Sequence, residues 1–142
     1  DGKLNTEKFF KDGKEIVVQS ESLIEKDGLM YNLNSATPFS GTAKSYFGSG
    51  RKKAEEFYLE GKLEGLTRKW HENGQLSGEI TYKNGMGNGL AKLWYVDGQL
   101  RFKGYYKDSE MDKLHEEWNS DGSLKSKQEY SNGKLIKEYD ID

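Results

Sequence analysis

The chain holds no cysteine and a single proline. Without cysteine there is no disulfide framework and no thiolate metal site, and the redox compartment stays open. With one proline, collagen-like and proline-rich linker architectures fall away. No run of about 18 apolar residues occurs, so the sequence contains no transmembrane helix. A charge bias is missing too: 22 basic and 24 acidic residues are spread along the chain, for a net −2. No basic stripe forms, which removes the electrostatic footprint of nucleic-acid binding. Apolar residues are scarce, at 33 % against 32 % charged. Yet aromatics reach 13 % and there are 17 glycines. Disordered chains are poor in aromatics, so these numbers predict a thin folded protein rich in tight turns. Its 142 residues suit one domain.

What the sequence does have is a repeat of 24 residues. Gly50, Gly74, Gly98 and Gly122 fall in register. Four residues before each stands Tyr46, Trp70, Trp94 or Trp118, and eight after each stands Tyr58, Tyr82, Tyr106 or Tyr130. Leu76, Leu100 and Leu124 follow two residues after the glycine, with Lys52 as the exception. A second glycine series is Gly61, Gly85 and Gly133, with Ser109 as the exception; a third is Gly41, Gly65 and Gly89, with Lys113 as the exception. The spacing predicts four hairpin units at 41–64, 65–88, 89–112 and 113–136, a period that suits stacked repeats. Residues 1–40 read as a divergent N-terminal half-repeat and cap, with Gly2, Leu4, Phe10 and Gly13 matching the second half of a unit. Residues 137–142 read as an acidic tail.

Within a unit, residues alternate with period two, the signature of strands. Asn-Gly or Asp-Gly at 73–74, 97–98 and 121–122 marks the turns. A three-residue loop with a left-handed Gly74 puts Leu76 opposite Trp70, Trp94 opposite Leu100 and Trp118 opposite Leu124. Continued without interruption, the same register puts Ile80 opposite Leu66. One apolar face would then hold the tryptophans, leucines and tyrosines of every unit, with Gly78 and Gly104 making room for neighbouring rings. The tryptophans are expected to be structural.

These columns, "G-x-x-x-x-W-x-x-x-G-x-L" followed by "Y-x-x-G-x-x-x-G", resemble the MORN repeat, and are most similar to the variant in YwqK-like bacterial antitoxin proteins. The resemblance covers about 41–136. It implies an all-β fold of stacked β-hairpins in one elongated, twisted antiparallel sheet, with no catalytic residues. It also implies another protein as partner, a cognate toxin being the specific candidate. Ser109 and Lys113 depart from the pattern, so the last hairpin is expected either to be irregular or to begin a cap.

Catalysis is not expected. His71 and His115 fall on the polar side of the alternation. "GMGNG" at 85–89 precedes a strand rather than a helix, so it lacks the helix N-terminus of a phosphate site. "KDSEMD" at 107–112 lacks the glycine and terminal glutamate of a calcium loop. No cofactor or metal is expected. The functional alternatives are an exported envelope or surface protein that uses the sheet for adhesion or assembly, and a peripheral lipid binder. Lipid binding wants a basic cluster, and "RKK" at 51–53 is the one short basic run. The chain begins at Asp1 rather than Met, so an upstream segment is expected, a signal peptide or a truncation; export to the periplasm or cell surface is favoured over the cytoplasm.

The partner surface is expected opposite the tryptophans, where Phe47, Phe57, Leu59, Leu93, Tyr95 and Tyr105 interrupt an otherwise polar face. The last strand is read as 124–130, with Lys125, Lys127 and Glu129 on one face. Such a charged edge predicts a monomer or weak dimer.

Overall fold

The computed structural model describes residues 10–11 and 14–141. Gly2, Leu4 and Gly13 of the proposed half-repeat lie outside them. The strands, in chain order, are β1 (Phe10–Lys11), β2 (Lys14–Glu15), β3 (Val17–Gln19), β4 (Leu23–Lys26), β5 (Leu29–Asn32), β6 (Gly41–Tyr46), β7 (Lys52–Leu59), β8 (Lys62–Leu63), β9 (Gly65–Trp70), β10 (Leu76–Lys83), β11 (Met86–Trp94), β12 (Leu100–Lys107), β13 (Glu110–Trp118), β14 (Leu124–Ser131) and β15 (Lys134–Glu138). The repeat is therefore an all-β stack of hairpins. One 11-stranded sheet runs β15-β14-β13-β12-β11-β10-β9-β7-β6-β3, with β8 paired to β7. Its pairings are antiparallel except one: β3 lies parallel to β6. The sheet is thus mixed rather than purely antiparallel, because the chain enters from the capping segment instead of a hairpin turn. Two small hairpins, β1–β2 and β4–β5, stand outside it.

Two kinds of turn alternate. At the first, His71 N–H donates to the Gln75 carbonyl and Gly74 N–H to the His71 carbonyl. Asn73 Oδ1 accepts from Gln75 N–H at 3.0 Å, and Asp97 and Asp121 do the same one and two units on. This is the three-residue loop with Gly74 left-handed, φ +90°, so the expected pairs Leu76–Trp70, Trp94–Leu100 and Trp118–Leu124 all form. The second turn has two left-handed residues. At Asp108-Ser109 both are non-glycine, φ +49° and +64°. Each costs about 1–2 kcal/mol. Ser109 offsets part of that: its N–H donates to the Gly87 carbonyl at 2.8 Å and its Oγ accepts from Gly87 N–H at 3.0 Å. Lys113 likewise takes φ +59°, the left-handed role of its glycine column. The last hairpin therefore keeps the turn of the others, with side-chain bonding at Ser109 in place of glycine's freedom, and the register shift beside Lys113 recurs at its counterpart Gly89.

The unbroken register fails in each unit just past the first turn, and shifts again between Ile80 and Tyr82 and at the counterparts of that point. Leu76 faces Trp70, but Gly78 faces Lys69 and Ile80 faces Thr67, not Leu66. Ser77 is the extra residue of a β-bulge, and equivalent shifts recur in the other units. A one-residue slip turns every later side chain over. The single apolar face is accordingly split. Trp70, Trp94, Trp118, Leu76, Leu100 and Leu66 project to one side, the tryptophan face. Ile80, Tyr82, Ala91, Leu93, Phe102, Tyr106 and Tyr130 project to the other, the tyrosine face, since residues directly opposite in an antiparallel pair share a face.

On the tryptophan face a row of charges crosses eight strands. Register partners run Lys44, Glu55, Arg68, Glu79, Lys92, Lys103, Glu116, Lys127. Ion pairs close at Lys44–Glu55 (3.5 Å), Arg68–Glu79 (3.1 Å) and Lys127–Glu116 (3.2 Å). The alternation breaks once, where Lys92 faces Lys103.

Segment 15–40 caps the first unit. Leu23 and Phe39 bury against Ala43 and Tyr58, with Ile16, Val18, Met30 and Leu63 packed around them. Backbone bonds fasten it: Met30 N–H donates to the Gly61 carbonyl (2.9 Å) and Gly61 N–H to the Phe39 carbonyl (2.7 Å). The outer edge at the other end is β15 rather than 124–130, because the repeat supplies one more strand after Gly133; β15 also takes up the first two residues of the predicted tail. Lys125, the extra residue of its bulge, reaches Glu117 at 3.2 Å, whereas Lys127 and Glu129 belong to the tryptophan face.

Candidate interaction face

Two columns of the repeat form the centre of the tyrosine face. Tyr58, Tyr82, Tyr106 and Tyr130 form one. Burial holds the phenols of Tyr58, Tyr82 and Tyr106 above their usual range, and the Glu56 carboxylate adds to this at Tyr58 and Tyr82. A second column, Ala43, Thr67, Ala91 and His115, forms the floor and is at most 5 % exposed at every position. Across the strands its members face, among others, Ile80, Gly104 and Gln128.

His115 is the member alternation misplaced. It is buried, not on a polar surface, because the bulge brings its strand's inward positions to this face. Its Nε2–H donates to the Tyr105 carbonyl at 2.7 Å. Its ring meets Tyr130, Tyr106 and Phe102 edge-on, with centroids 5.0, 5.2 and 5.6 Å away. Gly104 lies directly beneath: a Cβ there would stand 2.7 Å from His115 Nδ1 and 2.7 Å from Phe102 Cζ. Gly78 makes room for a Leu93 methyl in the same way, at 3.1 Å. His115 is thus a packing residue. His71 lies near the turn, half-buried, and its Nε2–H donates to the Trp94 carbonyl of the next unit at 2.9 Å. Tyr95 repeats that link, its hydroxyl donating to the Trp118 carbonyl at 2.9 Å. One unit is therefore stapled to the next by the side chain just past its aromatic, which stiffens the array.

Over the first unit this face is covered by segment 15–40. Beyond it the face is open and two pockets adjoin. One, about 230 Å³, is lined by Ile80, Tyr82, Ala91, Leu93, Phe102 and Tyr106, with Gly87 and Ser109 at its rim. The other, about 370 Å³, shares Leu93 and Phe102 and adds Tyr95, Arg101, Glu117 and Lys125, with Trp118 reaching its edge at the bulge. The result is an apolar floor bordered by cations, able to hold apolar side chains and a nearby carboxylate.

The six residues predicted for partner contact divide between the faces. Phe47, Leu93 and Tyr95 lie on the tyrosine side: Lys53 reaches over Phe47 and Arg101 over Tyr95. Phe57, Leu59 and Tyr105 lie on the tryptophan side. Phe57 is buried, while Tyr105 and Leu59 are each 38 % exposed. Leu93 and Tyr95 meet at one pocket; the others do not join them. Sequence reasoning missed Phe102 as their neighbour there, and Ala91 and Tyr106 at the adjoining pocket, although the last two stand in columns of the repeat. Among the described residues no group of three or more His, Asp or Glu side chains is placed to hold a metal ion, and no helix is long and apolar enough to cross a membrane.

The stacked hairpins are consistent with a family comparison. Residues 63–84 and 88–108 match the MORN repeat variant. Both matched repeats lie in the middle of the sheet, from β8 to the end of β12. They include Ile80, Ala91 and Phe102, and so most of the open pockets. The MORN repeat is generally a non-catalytic module. No curated protein and no solved structure matches the chain.

Proposed function

We propose that the chain is a non-catalytic protein-binding module, and that the tyrosine face beyond the first unit receives the partner. The observation that carries this is the contrast along one face. Where segment 15–40 covers it, Tyr58 and Ala43 are buried in a closed core. One to two units further the same kind of surface stays open, with aromatic and aliphatic side chains lining two adjoining pockets. Exposed, pre-formed apolar ground on a rigid sheet is what a protein interface uses. The antitoxin form of this proposal, with a toxin as partner, rests on the sequence resemblance alone. Lipid binding is less well supported, since the tryptophan face carries paired charges rather than a basic cluster.

Photo-crosslinking in the native host tests the proposal. A benzoylphenylalanine at Leu93 or Tyr106 should yield one adduct of defined mass, and the same group at Lys92 should yield none. Absence of any adduct from the tyrosine face, or equal adducts from both faces, defeats the proposal.

A further inference from the structure

One position of the repeat sits beside each tyrosine on the tyrosine face. Leu63 lies opposite Tyr58, Gly87 opposite Tyr82, Met111 opposite Tyr106 and Leu135 opposite Tyr130. Phe39 holds the same column in front of the first unit. Four of the five residues are bulky and apolar, and the fifth is a glycine.

Backbone geometry does not require that glycine. Gly87 is absent from the positive-φ residues. A Cβ there would lie 3.8 Å from Tyr106 Cβ and 3.9 Å from Ser109 Oγ, ordinary contacts. A side chain is tolerated at this point and is missing, and the pocket of about 230 Å³ opens there. Apolar hollows of about 150 Å³ accept a benzene ring, so the space suits one aromatic side chain.

The molecule contains a template for the occupant. In front of the first unit the column residue is Phe39, buried, its ring centroid 5.9 Å from that of Tyr58 and tilted by 55°. It packs among Ala43 and Tyr58, the counterparts of Ala91 and Tyr106. We infer that the pocket at Gly87 takes a phenylalanine side chain from an extended segment of the partner protein, in the place that the chain's own Phe39 fills at the first unit. The inference rests on the protein-binding function proposed above.

A second observation adds a carboxylate to the partner. Arg101 borders the adjoining pocket, which shares Leu93 and Phe102 with this one. Its guanidinium lies 6.0 Å from the Tyr95 ring centroid and makes no ion pair with a described residue. An aspartate or glutamate close to the phenylalanine would meet this free cation.

The test is a titration of the full chain followed by amide NMR, with N-acetyl-phenylalaninamide, N-acetyl-alaninamide and N-acetyl-aspartyl-phenylalaninamide as probes. The phenylalanine probe should give saturating shifts at Gly87, Ala91, Phe102 and Tyr106, and the alanine probe none. The aspartyl probe should bind severalfold tighter, and Arg101→Gln should erase that gain. Gly87→Leu fills the pocket from within; it should keep the melting temperature and lose the shifts. Gly87→Ala, a smaller change, should weaken binding without unfolding the chain. No saturating response in the wild type, or an undiminished response in Gly87→Leu, overturns the pocket assignment. The crosslinking above separates the two proposals. An adduct from Leu93 that persists undiminished in Gly87→Leu overturns the pocket and leaves protein binding standing. Probe shifts with no adduct from any tyrosine-face position support the pocket and defeat the protein-binding function.

Discussion

Gly104→Ala adds one methyl where there is no room for it. Its Cβ would lie 2.7 Å from His115 Nδ1, 2.7 Å from Phe102 Cζ and 2.8 Å from His115 Cε1. His115 cannot easily withdraw, because its Nε2–H is bonded to the Tyr105 carbonyl at 2.7 Å and two tyrosine rings flank it. Overpacking of this kind costs about 2–3 kcal/mol. Removing a glycine from the unfolded chain returns about 0.5 kcal/mol. A net loss of about 2 kcal/mol follows, or roughly 7 °C in melting temperature for a domain of this size. Gly78→Ala is the control. It meets a single Leu93 methyl at 3.1 Å, which can rotate aside, so its net effect should stay within about 0.5 kcal/mol. Urea unfolding of both variants and of His115→Ala and Gly104→Ala/His115→Ala gives the cycle. With the imidazole gone the added methyl should cost less than about 1 kcal/mol, a coupling of 1 kcal/mol or more. Equal losses for Gly104→Ala and Gly78→Ala, or an additive cycle, would refute the packing described for His115.

Trp94→Ala should lower stability by about 2 kcal/mol, less than a fully buried aromatic because Trp94 is half-buried, while Lys92→Ala on the same face should change it little; equal shifts in urea midpoint would contradict this. Lys103→Gln removes the one like-charge contact in the row of the tryptophan face and should raise stability by a few tenths of a kcal/mol at low salt, with the gain shrinking as salt screens it. The buried phenols give an alkaline limit. Folding raises the values of Tyr58, Tyr82 and Tyr106 above the ordinary one near 10, so their contribution is complete below that pH and is lost as pH climbs through the raised values. Phenolate absorbance should show part of the tyrosine signal rising only above the ordinary phenol range or on unfolding, and a signal complete within that range would refute the raised values of these three.

The period, the hairpins and the first turn type were legible because each is set by residues within a few positions of one another. Asn73 and Gly74 carry their loop in their own chemistry, and so Leu76 opposite Trp70 could be read directly. The bulge at Ser77 was not legible. Nothing in "QLSGEI" marks an extra residue, and a single slip reverses the facing of all that follows. That is why Ile80 and the tyrosine column were assigned to the tryptophan side and His115 to a polar one. Ser109 and Lys113 look like breaks in a glycine pattern, but they keep its left-handed backbone, helped at Ser109 by a hydrogen bond to Gly87. The pocket was half legible. Gly87 stands in a visible column with Leu63 and Met111, yet its meaning depends on which face that column occupies.

Everything concluded about the tyrosine face depends on the bulge at Ser77, and cross-strand disulfides can test it in a chain that has no cysteine of its own. Two double variants are compared after mild oxidation, with free thiols counted by mass. Thr67→Cys with Ile80→Cys joins residues that lie opposite each other in the bulged register and should close to a disulfide. Leu66→Cys with Ile80→Cys joins residues on opposite faces and should keep both thiols. Closure of the second pair with the first left open would restore the unbroken alternation, return Ile80 to the tryptophan side and remove the interaction face described here.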